Sequence, residues 1–129
     1  MRAKIIQCLG SNCTIISGTA SWYQGYQAPV NTAKPYGVVK LNNKVRSSVN
    51  RMGAVKNLEI WPYIDRYDWD FDKVGSAVKE IVDALDETLL TTAAGDTFEV
   101  EYDGDGPDYF DEERDAITRV VYFTIPTLK

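Results

Sequence analysis

The chain has 129 residues, 44% of them hydrophobic and 12% aromatic, which is the size of a single domain (residues 1–129) with enough apolar material for one core. Its formal net charge is −5 and its sequence pI about 4.7, an acidic balance that argues against broad electrostatic binding to nucleic acid or anionic membranes and leaves room for a local basic patch. There is no histidine and there are two cysteines, so Ser-His-Asp and Cys-His arrangements cannot form within the chain, nor can these thiols build a zinc site alone.

No apolar run approaches the roughly 18 residues of a membrane span. The opening MRAKIIQCLG is basic and then apolar for only a few residues, too short for a secretory signal, so the expectation is a cytoplasmic protein. Residues 2–9 read as a short helix with Ile5, Ile6 and Leu9 at helical spacing, stopped by Gly10-Ser11-Asn12. Cys8 and Cys13 then read as small hydrophobes near that helix end. Residues 17–35, rich in Gly, Ser, Thr, Ala and Pro, read as an irregular surface segment anchored by Trp22, Tyr23 and Tyr26.

Tyr36–Leu41 and Ala54–Trp61 are β-rich, the second alternating Val55, Leu58 and Ile60 against Lys56, Asn57 and Glu59. The intervening residues 42–53 are too long for a tight turn and predict an extended, protruding hairpin. Residues 72–87 carry the clearest helical pattern: Val74, Ala77, Val78, Ile81, Ala84 and Leu85 share a face, and Asp70 or Asp72 can cap the start. Ile81 and Leu85 are expected to pack on the sheet opposite Val121 and Phe123. Thr91, Thr92 and Gly95 belong to the helix exit. Thr97–Tyr102 alternates, with Phe98, Val100 and Tyr102 on one side, and a loop over 103–111 follows. Ala116–Ile125 is a nearly continuous apolar run, as in a central strand buried on both faces, ended by Pro126. The fold class is therefore α+β, a mainly antiparallel sheet with helices packed on one face, in the order α-β-β-α-β-β.

The catalytic inventory is thin. No phosphate-cradling G-x-x-x-x-G-K-[ST] loop and no dinucleotide G-x-G-x-x-G follows a strand. The one dense polar cluster is Asp103, Asp105, Asp108, Asp111, Glu112, Glu113 and Asp115. Asp103-Gly-Asp105-Gly looks like the start of a calcium loop, but position 12 of that loop would be Arg114, where a bidentate glutamate is needed. Paired carboxylates do acid–base work only when an apolar pocket raises one pKa, and a Gly- and Asp-rich loop is wet. The expectation is a solvated acidic loop with weak calcium binding at most, no catalytic residue, no metal site and no cofactor.

Charge is segregated along the chain. Lys40, Lys44, Arg46, Arg51 and Lys56 occupy a stretch without a single acid, whereas the stretch from Asp96 to Asp115 is acidic throughout except for Arg114. An acidic edge on one subunit can meet a basic hairpin on the next, and such a head-to-tail contact closes into a ring. Lys44, Arg46 and Arg51 on one side, and Asp103, Asp105 and Asp108 on the other, are the expected contacts.

Several stretches carry a resemblance. Pro35-Tyr-Gly-Val-Val39 enters the first strand and Leu58-Glu-Ile-Trp-Pro-Tyr-Ile64 forms the second. The helix Val74–Leu85 follows directly, and Tyr102-Asp-Gly-Asp precedes the strand Arg119–Ile125. In these features, over nearly the whole length, the chain resembles the small tail-terminator (tail-completion) proteins of long-tailed bacteriophages. It departs from them in its short N-terminal helix. The resemblance implies a homo-oligomeric ring, expected to have six copies, that caps the finished tail tube and presents a surface to the head connector. It implies a tail-tube protein and a head-connector protein as partners, no membrane, no sequence-specific nucleic acid, no catalysis and no cofactor. The location implied is the host cytoplasm during assembly and then the head-proximal end of the virion tail. A small acidic inhibitor that mimics nucleic-acid charge through residues 99–115 is the alternative, although the basic stretch fits it poorly.

Overall fold

A computed structural model describes residues 2–25, 35–44, 55–65 and 71–126. Helix α1 (Arg2–Asn12) is followed by a 3-10 turn (Thr19–Ser21) and the strands β1 (Trp22–Gln24), β2 (Tyr36–Lys44) and β3 (Val55–Asp65). Helix α2 (Phe71–Leu85) then precedes β4 (Thr88–Thr91), β5 (Thr97–Asp105), β6 (Tyr109–Asp111), β7 (Ala116–Thr118) and β8 (Val121–Pro126). The main path of the sheet runs β1-β2-β3-β8-β5-β4, with β7 joining β3 and β6 joining β7. Among the described residues every pairing is antiparallel except β1 with β2. The architecture is thus α+β with a mostly antiparallel sheet, as the sequence pattern predicts.

Both helices lie on one face. Ile5 and Leu9 of α1 and Val74, Ala77, Val78, Ile81 and Leu85 of α2 join one buried cluster with Leu58, Ile60, Phe98, Val100, Val121, Phe123 and Ile125. The i, i+3, i+4 spacing in α2 produces this stripe, and alternation along β3, β5 and β8 supplies the facing layer. On the opposite face, Tyr36, Val38, Tyr63 and Ala116 form a second, smaller cluster, with Tyr23 and Trp61 packed at its margin. Its rings meet edge-on or stacked, Tyr23 on Tyr36 at 5.8 Å and Tyr36 on Tyr63 at 5.1 Å between centroids.

Several sequence expectations need correction. Helix α1 does not stop before Gly10 but runs to Asn12. Gly10 is a contact residue: a Cβ there would come within 2.6 Å of the Thr19 backbone nitrogen, so its hydrogen lets the segment after the helix fold back closely. The backbone N–H of Gly18 donates to the Gly10 carbonyl at 3.0 Å, satisfying a helix-end acceptor. Within 17–35, Trp22–Gln24 is a strand paired in parallel with Gly37–Val39, because Trp22 buries its ring while its indole N–H donates to the Ile16 carbonyl at 3.1 Å. Tyr26 and residues 26–34 lie outside the described residues, as does Asp70.

Of the helix-exit residues, Thr91 ends strand β4 and Thr92 and Gly95 lie in the turn that follows it; Leu90 of β4 packs against the main core opposite Phe98 of β5. Strand β5 continues to Asp105, past a register shift between Tyr102 and Gly104, so only part of 103–111 is loop. The final apolar run is two strands. Residues 64–65 of β3 pair with β7 and residues 55–60 with β8, and Arg119-Val120 makes the break between them. Strand β8 is central, but the helices cover only one of its faces: Val121, Phe123 and Ile125 are buried, whereas Tyr122 is 40% exposed. Among the described residues no helix is long and apolar enough to cross a membrane.

Candidate interaction surfaces

The β2–β3 ladder runs from Tyr36↔Tyr63 to Lys44↔Val55, longer than the sequence pattern predicts. It places Lys40 and Lys44 on β2 and Lys56 on β3. Lys44 closes the described ladder; Arg46 and Arg51 lie outside the described residues. Lys40, earlier on β2, sits over the Trp61 ring with its ammonium 5.4 Å from the centroid.

The acidic loop is neutralised in part by its own chain. Arg119 Nη2 lies 2.7 Å from Asp108 Oδ1 and its Nε donates to the same oxygen at 2.8 Å. Its Nη1 lies 3.6 Å from Asp105 Oδ2, and the Tyr102 hydroxyl donates to Asp105 Oδ1 at 2.6 Å. The loop is pinned further by the Gly106 N–H, which donates to the Val120 carbonyl at 2.8 Å. Asp103 is exposed. Asp111 accepts from the Arg114 backbone N–H at 3.1 Å and faces the Arg114 guanidinium at 3.6 Å. That guanidinium donates to the Tyr36 hydroxyl at 3.0 Å and stacks over the Tyr63 ring at 5.1 Å. Burial pushes the Tyr63 phenol up to about 12 although Arg114 opposes it. Among the described residues no group of three or more His, Cys, Asp or Glu side chains is arranged to hold a metal ion.

A second acidic surface emerges at the other margin of the sheet. Phe98 and Val100 turn into the core, so Glu99 and Glu101 project from the helix-free face of β5. Leu89 of β4 stands opposite Glu99 and is 67% exposed. Asp86 and Glu87 precede β4, and Asp86 is held there by the Tyr102 N–H, which donates to it at 2.9 Å. The Glu101 carboxyl is held above its ordinary value by its hydrogen bond with Glu99 and by repulsion from Glu99, Asp86 and Glu87. Sequence reading placed Glu99 and Glu101 in a general acidic stretch. The signal that singles them out is their alternation with Phe98, Val100 and Tyr102.

An open cleft of about 540 Å³ between the helices is lined by Cys8, Asn12, Glu80, Asp83, Ala84 and Thr88. Cys8 donates to the Ala84 carbonyl, and burial raises its thiol pKa; for Cys13, burial followed by the nearby Glu80 and Cys8 pushes it to about 12. An activated nucleophile needs the opposite shift. Glu80 is structural: its carboxylate accepts from the Thr14 and Ile15 backbone N–H groups at 3.0–3.2 Å and from the Thr14 hydroxyl, tying the end of α1 to α2.

Among the described residues the chain is thus an α+β fold with both helices on one face of a mostly antiparallel sheet. No protein-family model matches it, and no curated protein sequence does. Among solved structures it is similar to a chain of the virion of a native gene transfer agent particle, with a TM-score of 0.72 and 20% identity, covering 100% of this chain and 95% of that one. At that identity the likeness establishes the shared fold.

Proposed function

We propose that the chain is a structural component of a phage-like virion and, more narrowly, a tail terminator. Copies form a ring, six in the complete assembly, that sits on the finished tail tube. One ring face binds the tail-tube protein and stops its polymerisation; the other receives the head connector. The mechanism is geometric, without catalysis or cofactor. The protein assembles in the host cytoplasm and ends at the head-proximal end of the tail, its 129 residues acting as one domain.

The observation that carries this reading is the fold likeness to a virion chain over 100% of this sequence and 95% of that one. The charge pattern supports it. Lys44, Arg46 and Arg51 on one copy can meet the acidic side of its neighbour, which includes Asp103, Asp105 and Asp108. Exposed pairs contribute only about 0–1 kcal/mol each, but a ring repeats every contact. The acidic-inhibitor alternative is weakened because Arg119 already engages Asp105 and Asp108.

The test is complementation of a particle producer lacking this gene, scored by electron microscopy. Wild type is expected to restore head-attached tails of uniform length. Arg46→Glu with Arg51→Glu is expected to leave the monomer folded but to fail. Normal tails in the absence of the chain would overturn the proposal, and full rescue by the double variant would remove the basic hairpin from it.

A further inference from the structure

We draw no further inference here: the strongest candidate, the helix-free margin of β4–β5 where Leu89 stands 67% exposed opposite Glu99, carries nothing because nothing among the described residues shows what covers it.

Discussion

Gly37→Ala puts one methyl group where the fold leaves no room. A Cβ at residue 37 would lie 2.8 Å from Trp22 Cη2 and closer still to Cζ3 and Cε3. Carbon atoms prefer about 3.5–4.0 Å, so the ring must shift. It has nowhere easy to go: Trp22 is 4% exposed, its indole N–H is bonded to Ile16, and it belongs to the main core. Overpacking costs about 1–3 kcal/mol, and disturbing the indole hydrogen bond adds about 1. Against this, Gly37 is not among the positive-φ glycines, so alanine should gain about 0.4–1 kcal/mol by restricting the unfolded chain. The clash wins, and the net expected loss is about 1–3 kcal/mol out of a typical 5–15. Urea titration of Gly37→Ala, and of the same change in a Trp22→Leu background, measures it. Without the indole the substitution should be neutral or slightly stabilising. A loss below about 0.5 kcal/mol in the wild-type background, or an equal loss in both, would refute the β1–β2 contact as the cause.

Two further outcomes follow from side-chain geometry. Burial alone would raise the Glu80 pKa, but the hydrogen bonds from Thr14 and Ile15 outweigh it and hold the carboxyl below its ordinary 4.5; its contribution is therefore complete above that value and lost as pH falls through the folded pKa. Glu80→Gln should cost about 1 kcal/mol or less at pH 7, since the group is partly exposed, and the gap from wild type should close as pH falls through the folded pKa in denaturant titration; a gap independent of pH would show that the carboxylate charge is not responsible. Calcium should leave the melting temperature unchanged, because Asp105 and Asp108 are turned onto Arg119, whereas a site of ~10 μM affinity would add about 2.7 kcal/mol at ~1 mM calcium and raise the transition by several degrees.

Legibility followed periodicity. The stripe Val74, Ala77, Val78, Ile81 and Leu85 and the alternation of Phe98 with Val100 have one physical reading each, and α2 and β5 lie where those patterns put them. Short elements fixed by distant partners carry no such local signal. Strand β1 exists because Gly37, on a strand twelve or more residues later, admits the Trp22 ring. Strand β4 goes unmarked in the sequence because Thr88–Thr91 holds only two apolar residues; pairing with β5 makes it a strand. The apolar run 116–125 hid its own division, since Ile117 and Val121 look alike in sequence while pairing with different parts of β3. The aromatic cluster around Tyr36 and Tyr63 was invisible for a similar reason: its members come from β2, β3 and β7.

The charge pattern was legible in sign but not in strength. Along the sequence, the acids from Asp96 to Asp115 form one block with Arg114 its sole cation. Folding brings in Arg119 from just beyond that block and spends it on Asp105 and Asp108, while Arg114 takes Asp111. At the β4–β5 margin, Glu99 and Glu101 are forced outward together because Phe98 and Val100 must face the core. A strand alternation imposed by core packing thus sets Glu99 and Glu101 side by side on the face away from the core. A change that rotates this strand by one residue would bury Glu99 and Glu101 and expose Phe98 and Val100, destroying the core and the acidic margin in the same step.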